Sequence, residues 1–257
     1  MSSSSSPETF ASLHVPGRPL VLYNAWDVAS AVAIAEAGAR AVATSSSAVA
    51  ASQGHADGED LPFEVLHRIA ERIVGAVDLP VTVDLETGYG ASAEAVGERV
   101  GALVDLGVVG VNLEDRLLDR SSLRTADDQA ERLGAARAAA DRHEREFFIN
   151  ARTDVFFQGA PPDRHEGLLD AAIARAETYR RAGASGLFVP GLLTPALIER
   201  LCAAVELPIN IMAVPDGPSR DVLAACGVAR ISHGPFPLRA ALETLREAAR
   251  AAIAPAA

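Results

Sequence analysis

The sequence predicts one α/β domain of the (β/α)8 TIM-barrel class. Short apolar, β-branched runs alternate with Ala/Leu-rich amphipathic stretches at a spacing of about 20 to 35 residues. Eight such units fill 257 residues, which is a typical length for a barrel. The alternative is a doubly wound open sheet, but the first strand is followed by Asn24-Ala25-Trp26-Asp27 and not by a G-x-G-x-x-G turn. We expect residues 1–12 to form a flexible tail and residues 13–257 to form the barrel.

The first half of the chain supplies four predicted βα units. Its predicted strands are Leu20–Asn24, Arg40–Thr44, the stretch Val81–Gly90 and Val109–Glu114. Helices with apolar residues at helical spacing are predicted from Asp27, as N-cap, to Ala37 and over Pro62–Val77, Ala93–Leu106 and Ala126–Arg142. A polar stretch without a predicted helix, Ser45–Asp60, follows the second strand.

The second half supplies the other four units. Its predicted strands are Phe147–Arg152, Gly186–Val189, Ile209–Met212 and Ala229–Ser232. A Gly/Pro-rich loop, Gln158–Asp163, precedes a helix over Leu168–Arg181, and a final Ala-rich helix is predicted over Pro237–Ala252.

The composition limits the kinds of partner that the protein can have. The formal net charge is −11, which argues against binding of nucleic acid and against an anionic membrane as a partner. No run of about 18 apolar residues occurs. Cys202 and Cys226 lack the spacing of a metal site. We interpret them as buried free thiols in a reducing compartment, and we expect a cytoplasmic protein.

The chain contains no lysine, so all 23 basic residues are arginines. Schiff-base aldolase chemistry, attachment of pyridoxal phosphate and a Walker A loop each require a lysine amine. These three classes of function are therefore excluded.

Polar side chains gather where four predicted strands end. In an extended strand alternate residues share one face, and in a barrel the active site lies at the carboxyl ends of the strands. The side chains expected there are, strand by strand, Ser45, Ser46 and Ser47 after the second, Asp84 and Glu86 on the third, Asn112 and Glu114 on the fourth, and Asn150 and Arg152 on the fifth.

This set of side chains indicates a cation site. Carboxylates so close together repel one another unless a cation lies among them, and oxygen ligands without His or Cys indicate a hard ion, Mg2+ or Mn2+. A structural alternative is an ion pair of Arg152 with Glu114 or Glu86 that only closes the top of the barrel.

Three motifs resemble successive motifs of the isocitrate lyase/phosphoenolpyruvate mutase superfamily. They are Val83-Asp84-Leu85-Glu86-Thr87-Gly88-Tyr89-Gly90, Gly110-Val111-Asn112-Leu113-Glu114-Asp115 and Asn150-Ala151-Arg152-Thr153-Asp154. Their order, spacing and strand placement agree with that superfamily, and the resemblance covers nearly the whole chain.

The resemblance implies a Mg2+-dependent enzyme that makes or breaks a bond next to an enolate derived from a 2-oxo acid. It implies that Asp57, Asp84, Glu86 and Glu114 hold the ion, largely through water. It also implies catalytic roles for Arg152, Glu114 and Asp57. The expected substrate contacts are Ser45, the backbone amides of Ser46 and Ser47, Asp84, Asn112, Arg152 and the loop residues Arg116 and Arg120, with Arg124 as another candidate for a distal carboxylate.

Departures from the superfamily pattern indicate the subgroup. Lyases that cleave isocitrate or methylisocitrate carry a cysteine acid/base in a loop after strand four, and the corresponding loop here, Asp115–Arg124, has none. Mutases and phosphonopyruvate hydrolases place Lys, Thr and Asn in that loop, where this chain has Arg120-Ser121-Ser122. The resemblance therefore favours a C–C lyase or decarboxylase acting on an oxaloacetate-like or alkylmalate-like acid.

Two other functions remain open at this point, and so does the oligomeric state. One alternative is an enzyme of C–P bond chemistry, and the other is a non-catalytic protein that binds a metabolite. By similarity to the superfamily we expect a homo-oligomer, dimer or tetramer, in which the last helix is exchanged between subunits. The same helix would equally serve to close its own barrel.

Overall fold

Eight parallel strands form a barrel in the computed structural model, which describes residues 9–119, 121–143, 145–159 and 161–254. The strands are β1 Leu20–Leu22, β2 Val42–Ala43, β3 Val81–Asp84, β4 Gly110–Glu114, β5 Phe148–Arg152, β6 Gly186–Phe188, β7 Ile209–Met212 and β8 Arg230–Ser232. Their order is β1-β8-β7-β6-β5-β4-β3-β2. A parallel bridge between Ala25 and Thr44 joins the ends that follow β1 and β2. The predicted (β/α)8 class is confirmed.

Helices surround this sheet on its outer side. They are α1 Val28–Glu36, α2 Ser46–Ser52, α3 Phe63–Val74, α4 Ala93–Asp105, α5 Ala126–Asp141, α6 Leu169–Arg181, α7 Pro195–Ala204, α8 Arg220–Ala225 and α9 Phe236–Ile253. Asp27 caps α1 as predicted, because its carboxylate accepts a hydrogen bond of 2.8 Å from the backbone N–H of Ser30.

The polar stretch after β2 was predicted without a helix, and this prediction is wrong for its first part. Residues Ser46–Ser52 form α2. Serine has a low helix propensity, but Ala48, Val49 and Ala50 of this helix are buried, and their packing outweighs it. A second short segment, the 3-10 helix Pro162–Leu168, occupies the end of the predicted Gly/Pro-rich loop.

The lower, amino-terminal end of the barrel is closed by an apolar cluster that includes Phe10, Leu13, Leu20 and Phe148. Phe10 is buried, and its ring meets that of Phe148 edge-on at 5.7 Å. The predicted start of the barrel domain at residue 13 is therefore too late, because Phe10 already belongs to its core. Residues 1–8 of the predicted tail lie outside the described residues.

The last helix, α9, has few contacts with the barrel. Only Pro237 and Leu238 of α9 are buried, whereas Leu245 and Ile253 are 63% and 80% exposed. Both cysteines are free as predicted, but each is only partly buried, so their predicted burial is wrong. Within the described ranges, no helix has the length and apolar character needed to cross a membrane.

Candidate active site

Asp84 ends β3 and lies at the centre of the candidate site. Its buried carboxylate accepts hydrogen bonds from the backbone N–H of Ser46 at 3.0 Å and from the side chain of Asn112 at 3.4 Å. Ser46 Oγ lies 2.8 Å from Asp84 Oδ2 and 3.3 Å from Asp57 Oδ1, so it links the two carboxylates. The structure thus brings Asp57, from the exposed loop after α2, beside the end of β3.

Three of the predicted substrate contacts are the serines around the start of α2. Ser45 and Ser46 are buried and Ser47 is half-buried. In this structure the backbone N–H of Ser46 donates a hydrogen bond to Asp84, so it is not available to a substrate carboxylate.

Glu86 does not continue the strand face of Asp84, as the alternation predicted, because β3 ends at Asp84. Glu86 has a φ of 51°, and its carboxylate turns toward the loop after α2. One oxygen accepts hydrogen bonds from the backbone N–H groups of Gly58 and Glu59 at 2.7 and 2.9 Å, and the other accepts from the Tyr89 hydroxyl at 2.8 Å.

In the described part of the chain, the non-glycine residues with positive φ are Glu59, Glu86 and Tyr89. All three belong to the loops that follow α2 and β3. A left-handed conformation costs a non-glycine residue roughly 1–3 kcal/mol, and it persists only where the surroundings enforce it. Such strain concentrates at functional sites, and here it lies beside Asp84.

Arg152, at the end of β5, is held by two acids. Its Nη1 lies 2.7 Å from Glu114, and Nε and Nη2 donate to the two oxygens of Asp154 at 2.6 and 2.9 Å. The alternation that predicted inward-facing Glu114 and Arg152 is confirmed. The ion pair between them is also the one that the structural alternative anticipated.

A polar layer lies in the barrel beneath the carboxylates. Asn112 Oδ1 accepts from Asn150 Nδ2 at 2.9 Å and from Arg230 Nη2 at 3.2 Å. Arg230 is fully buried, and its Nε lies 3.2 Å from Ser232 Oγ. Since Asn112 also donates toward Asp84, a hydrogen-bonded chain runs from Arg230 to the mouth of the barrel.

The loop after β4 carries the arginines proposed for a distal carboxylate. Arg116 lies 3.7 Å from Asp154, and Arg124 donates to Asp128 at 3.1 Å. Arg120 lies outside the described residues. The start of this loop is anchored by the fully buried Asp115, which accepts from Tyr179 and Arg175 at 2.8 and 3.1 Å.

The acids of the site disfavour one another's ionisation. Burial raises the pKa of Glu86 to about 7, and the charges of Asp84 and Asp57 add to this effect. Burial likewise raises the pKa of Glu114 to about 8, with Arg152 opposing it and Asp154, Asp84 and Glu86 adding to it. A cation among these groups would relieve the repulsion.

The donor set has the chemistry of a Mg2+ site, because every candidate ligand is an oxygen. Within residues 9–119, 121–143, 145–159 and 161–254, no three His, Cys, Asp or Glu side chains are spaced to bind one ion directly. Mg2+ usually keeps several waters and uses one or two carboxylates. The residues therefore fit a hydrated ion better than one enclosed by protein ligands.

Four residues of the site, Glu59, Tyr89, Asp154 and Arg230, were not predicted to have a role, and Asp154 binds Arg152 through both of its oxygens. Glu59 and Tyr89 contact Glu86, and Arg230 contacts Asn112. Tyr89 stands inside a motif and Glu59 is two residues from Asp57, but neither carries a pattern of its own. A charged residue between apolar ones in a predicted strand, Ala229-Arg230-Ile231, is a signal that would have identified Arg230.

Curated relatives cover most of the chain. An uncharacterised protein of Mycobacterium tuberculosis (strain H37Rv) is 35% identical over 95% of this chain and 88% of its own length. The 2-methylisocitrate lyase of Escherichia coli K12 is 30% identical over 77% of this chain and 70% of its own. An oxaloacetate decarboxylase of Bradyrhizobium is 32% identical over 75% and 66%. The relatives named as 2-methylisocitrate lyases are carbon–carbon lyases.

Solved structures with the same fold include a protein of Burkholderia cenocepacia J2315 that is provisionally named a phosphonomutase. It is 52% identical, with a TM-score of 0.91, over 94% of this chain and 97% of its own. A 2,3-dimethylmalate lyase is 26% identical, with a TM-score of 0.81, over 93% and 83%. The family model for phosphoenolpyruvate phosphomutase matches residues 10–253. The chain therefore belongs to the phosphoenolpyruvate phosphomutase family, within the isocitrate lyase/phosphoenolpyruvate mutase superfamily.

Proposed function

We propose that the protein is a Mg2+-dependent lyase or decarboxylase that acts on a small 2-oxo or 2-hydroxy dicarboxylic acid through an enolate. The observation that carries this proposal is the Glu114–Arg152–Asp154 arrangement beside Asp84 at the mouth of the barrel. It combines the fixed positive charge of the Arg152 guanidinium with carboxylate oxygens that could bind a metal ion. Members of the superfamily generally depend on Mg2+.

The charge of the site supports a bound divalent cation. Asp57, Asp84, Glu86 and Glu114 lie around the mouth, whereas the guanidinium of Arg152 is already shared between Glu114 and Asp154. A dicarboxylate substrate would add two negative charges to this group. A hydrated Mg2+ held by these carboxylates would offset part of this negative charge, and it would supply Lewis-acid stabilisation of the enolate oxygen.

The protein's own residues would then orient the substrate. Arg152 cannot turn freely, because three of its nitrogen atoms are hydrogen-bonded or ion-paired and its guanidinium carbon lies 5.7 Å from the centre of the Phe188 ring. Such a preorganised cation stabilises negative charge that develops in the transition state. Departure of CO2 needs no general acid, which agrees with a loop after β4 that lacks cysteine.

The test is release of pyruvate from oxaloacetate, and of the corresponding 2-oxo products from alkylmalates, with Mg2+ and with EDTA. We expect turnover of at least one acid that EDTA abolishes and Mg2+ restores. Thermal stabilisation by Mg2+ together with oxalate, a mimic of the enolate, distinguishes an enzyme from a non-catalytic binding protein. Absence of metal-dependent turnover for every acid would reject the proposal.

A second candidate function is C–P bond chemistry. The 52% identical neighbour provisionally named a phosphonomutase favours it, whereas the loop sequence Arg120-Ser121-Ser122 does not. Incubation with phosphonopyruvate, followed by 31P NMR, decides between the two. Formation of phosphoenolpyruvate or of free phosphate would establish the second candidate.

We also propose that the protein is a cytoplasmic homo-oligomer in which α9 packs on a neighbouring subunit. The free thiols agree with a reducing compartment. The exposed side chains of α9 include Leu242 and Leu245. A cavity of about 800 Å3, lined in part by Leu20, Val21 and Ile34, lies between β1, α1 and α8, on the outer side of the barrel. The lining is mixed, because Arg18, Arg220 and Asp221 also belong to it, and the cavity is large enough to receive side chains of a neighbouring helix.

A further inference from the structure

Two glutamates join the loops after α2 and β3, because each accepts hydrogen bonds from the other's loop. Glu86, from the second loop, accepts hydrogen bonds from the backbone N–H groups of Gly58 and Glu59 in the first. Glu59, from the first loop, accepts from the Thr87 hydroxyl at 2.6 Å and from the backbone N–H of Tyr89 at 2.9 Å in the second. We call Glu59, Glu86, Thr87 and Tyr89 the loop clamp.

The loop after β3, the second of the two, is held in place by contacts with neighbouring helices. The buried guanidinium of Arg132, on α5, donates to the carbonyl oxygens of Thr87 and Gly90 at 3.0 and 2.7 Å. Gly90 has no room for a side chain, since a Cβ there would lie 2.8 Å from the backbone nitrogen of Val96. The second loop is thus fixed to two helices.

The first loop is more exposed. Asp57 is exposed to solvent, although Ser46 Oγ lies 3.3 Å from it and 2.8 Å from Asp84. Asp60 binds within the same loop, to the backbone of Ala56 and the ring of His55. The clamp immediately follows Asp57 in the chain, so it contributes to the position of Asp57 relative to Asp84.

We propose that Glu59 is a positioning residue that holds Asp57 facing Asp84 at the mouth of the barrel. The assignment of a catalytic role to Asp57 rests on the proposed function, whereas the clamp itself rests on the contacts. The left-handed conformations of Glu59, Glu86 and Tyr89 place their side chains and N–H groups for these reciprocal contacts. Strain of this kind is retained where it organises a site.

The kinetic test compares Glu59→Ala and Glu59→Gln in the wild-type and Asp57→Asn backgrounds, with Glu71→Ala on the exposed face of α3 as the control. We expect Glu59→Ala to lower kcat by about tenfold to a hundredfold with little change in KM, because the site loses its alignment. Glu59→Gln should stay within about threefold of wild type, since its amide oxygen can still accept both hydrogen bonds. In the Asp57→Asn background Glu59→Ala should cost almost nothing more.

Three kinetic results would overturn the proposal. An equal loss in both backgrounds would show that Glu59 does not act through Asp57. A Glu59→Gln variant as impaired as Glu59→Ala would assign the effect to charge. A Glu59→Ala variant with wild-type kcat would show that the clamp has no role in positioning.

Hydrogen exchange measured by mass spectrometry tests the clamp without any substrate. We expect amide exchange in residues 54–62 to accelerate by about tenfold in Thr87→Val, which loses one hydrogen bond, and by more in Glu59→Ala, which loses two. Unchanged exchange would overturn the clamp. If the wild-type protein turns over no acid, the proposed function fails, but the exchange measurement still shows whether the clamp holds the loop. If Glu59→Ala does not fold, Thr87→Val provides the same test.

Discussion

Glu114 and Arg152 form an ion pair of 2.7 Å between the ends of β4 and β5, and Asp154 binds the same guanidinium through both of its oxygens. Burial alone would lower the pKa of Arg152, but Glu114 and Asp154 outweigh it and hold that pKa well above its ordinary value. The arginine is therefore charged at any working pH, and the two acids hold its guanidinium in one orientation.

Two replacements of Arg152 should distinguish the effect of its charge from the effect of its planar, two-pronged shape. Arg152→Lys keeps the charge but cannot bind Asp154 through two nitrogens, so we expect kcat to fall by about 10²–10³-fold. Arg152→Gln leaves the buried Asp154 without its main partner and should lower the free energy of unfolding by about 3–5 kcal/mol. Steady-state kinetics and urea denaturation measure the two effects. A lysine variant with wild-type kcat would contradict the role of the planar guanidinium.

Asp84→Asn should abolish metal-dependent activity while keeping the fold. The amide has nearly the same shape as the carboxylate, but it is a poor ligand for Mg2+. We expect at least about a hundredfold loss of kcat/KM, the scale of losing a group that organises transition-state charge. Stabilisation by Mg2+ with oxalate should disappear as well. Asp105→Asn, an exposed change at the end of α4, is the matched control, and retention of activity by Asp84→Asn would show that the site is misplaced.

His14 should make the protein less stable in mild acid. Burial, followed by the charge of Arg230, lowers the pKa of His14 from 6.5 to about 3. Between these two values the unfolded chain binds a proton at His14 that the folded protein does not. The free energy of unfolding therefore falls as the pH falls below 6.5, by up to about 1.4 kcal/mol per pH unit.

His14→Phe should remove this part of the pH dependence. Phenylalanine can keep the stacking on Phe148, where the two ring centres are 4.0 Å apart, although it loses the hydrogen bond to the carbonyl of Phe10. Denaturation by urea at several pH values between 4.5 and 8 gives the slope for each protein. Identical slopes for the variant and the wild type would show that His14 binds its proton equally in the folded and the unfolded protein, which would contradict the lowered pKa.

Arg230→Met should reduce activity without reducing stability. Burial lowers the pKa of Arg230 to about 9, and after its removal Asn112 keeps Asn150 as a donor and Ser232 keeps Asn210. We expect stability to be unchanged or raised by up to about 1–4 kcal/mol. The loss of a charged hydrogen bond to Asn112 should lower kcat/KM by about tenfold or more. Arg230→Lys is the control, and a strongly destabilised but fully active methionine variant would refute this account.

Leu245→Glu should weaken subunit association. Leu245 is 63% exposed on α9, and a charge there would oppose burial of this helix face against a neighbouring subunit. Sedimentation equilibrium should give a smaller mass for this variant than for the wild type, whereas Glu247→Gln, also on α9, should leave the mass unchanged. A monomeric wild-type protein would contradict the proposed helix exchange.

The strand alternation predicted the inward-facing residues of β4 and β5 but failed for Glu86. Residues Asn112, Glu114, Asn150 and Arg152 lie within regular strands, where the pleat determines the face of each side chain. Glu86 lies beyond the last residue of β3, in a left-handed conformation. The alternation rule predicts the face on which a side chain lies only where the backbone is extended, so it does not apply beyond the end of a strand.

The sequence by itself determined the βα order, the barrel class, the superfamily motifs and the exclusion of lysine chemistry, because periodicity and residue identity are local properties. Only the tertiary structure decided that Arg230 meets Asn112, 118 positions away, and that Glu59 meets Thr87, 28 positions away. Such pairings depend on how far each side chain reaches across the closed barrel and between its loops. The left-handed backbone of Glu59, Glu86 and Tyr89 is likewise enforced by these contacts and has no signal in the residues themselves.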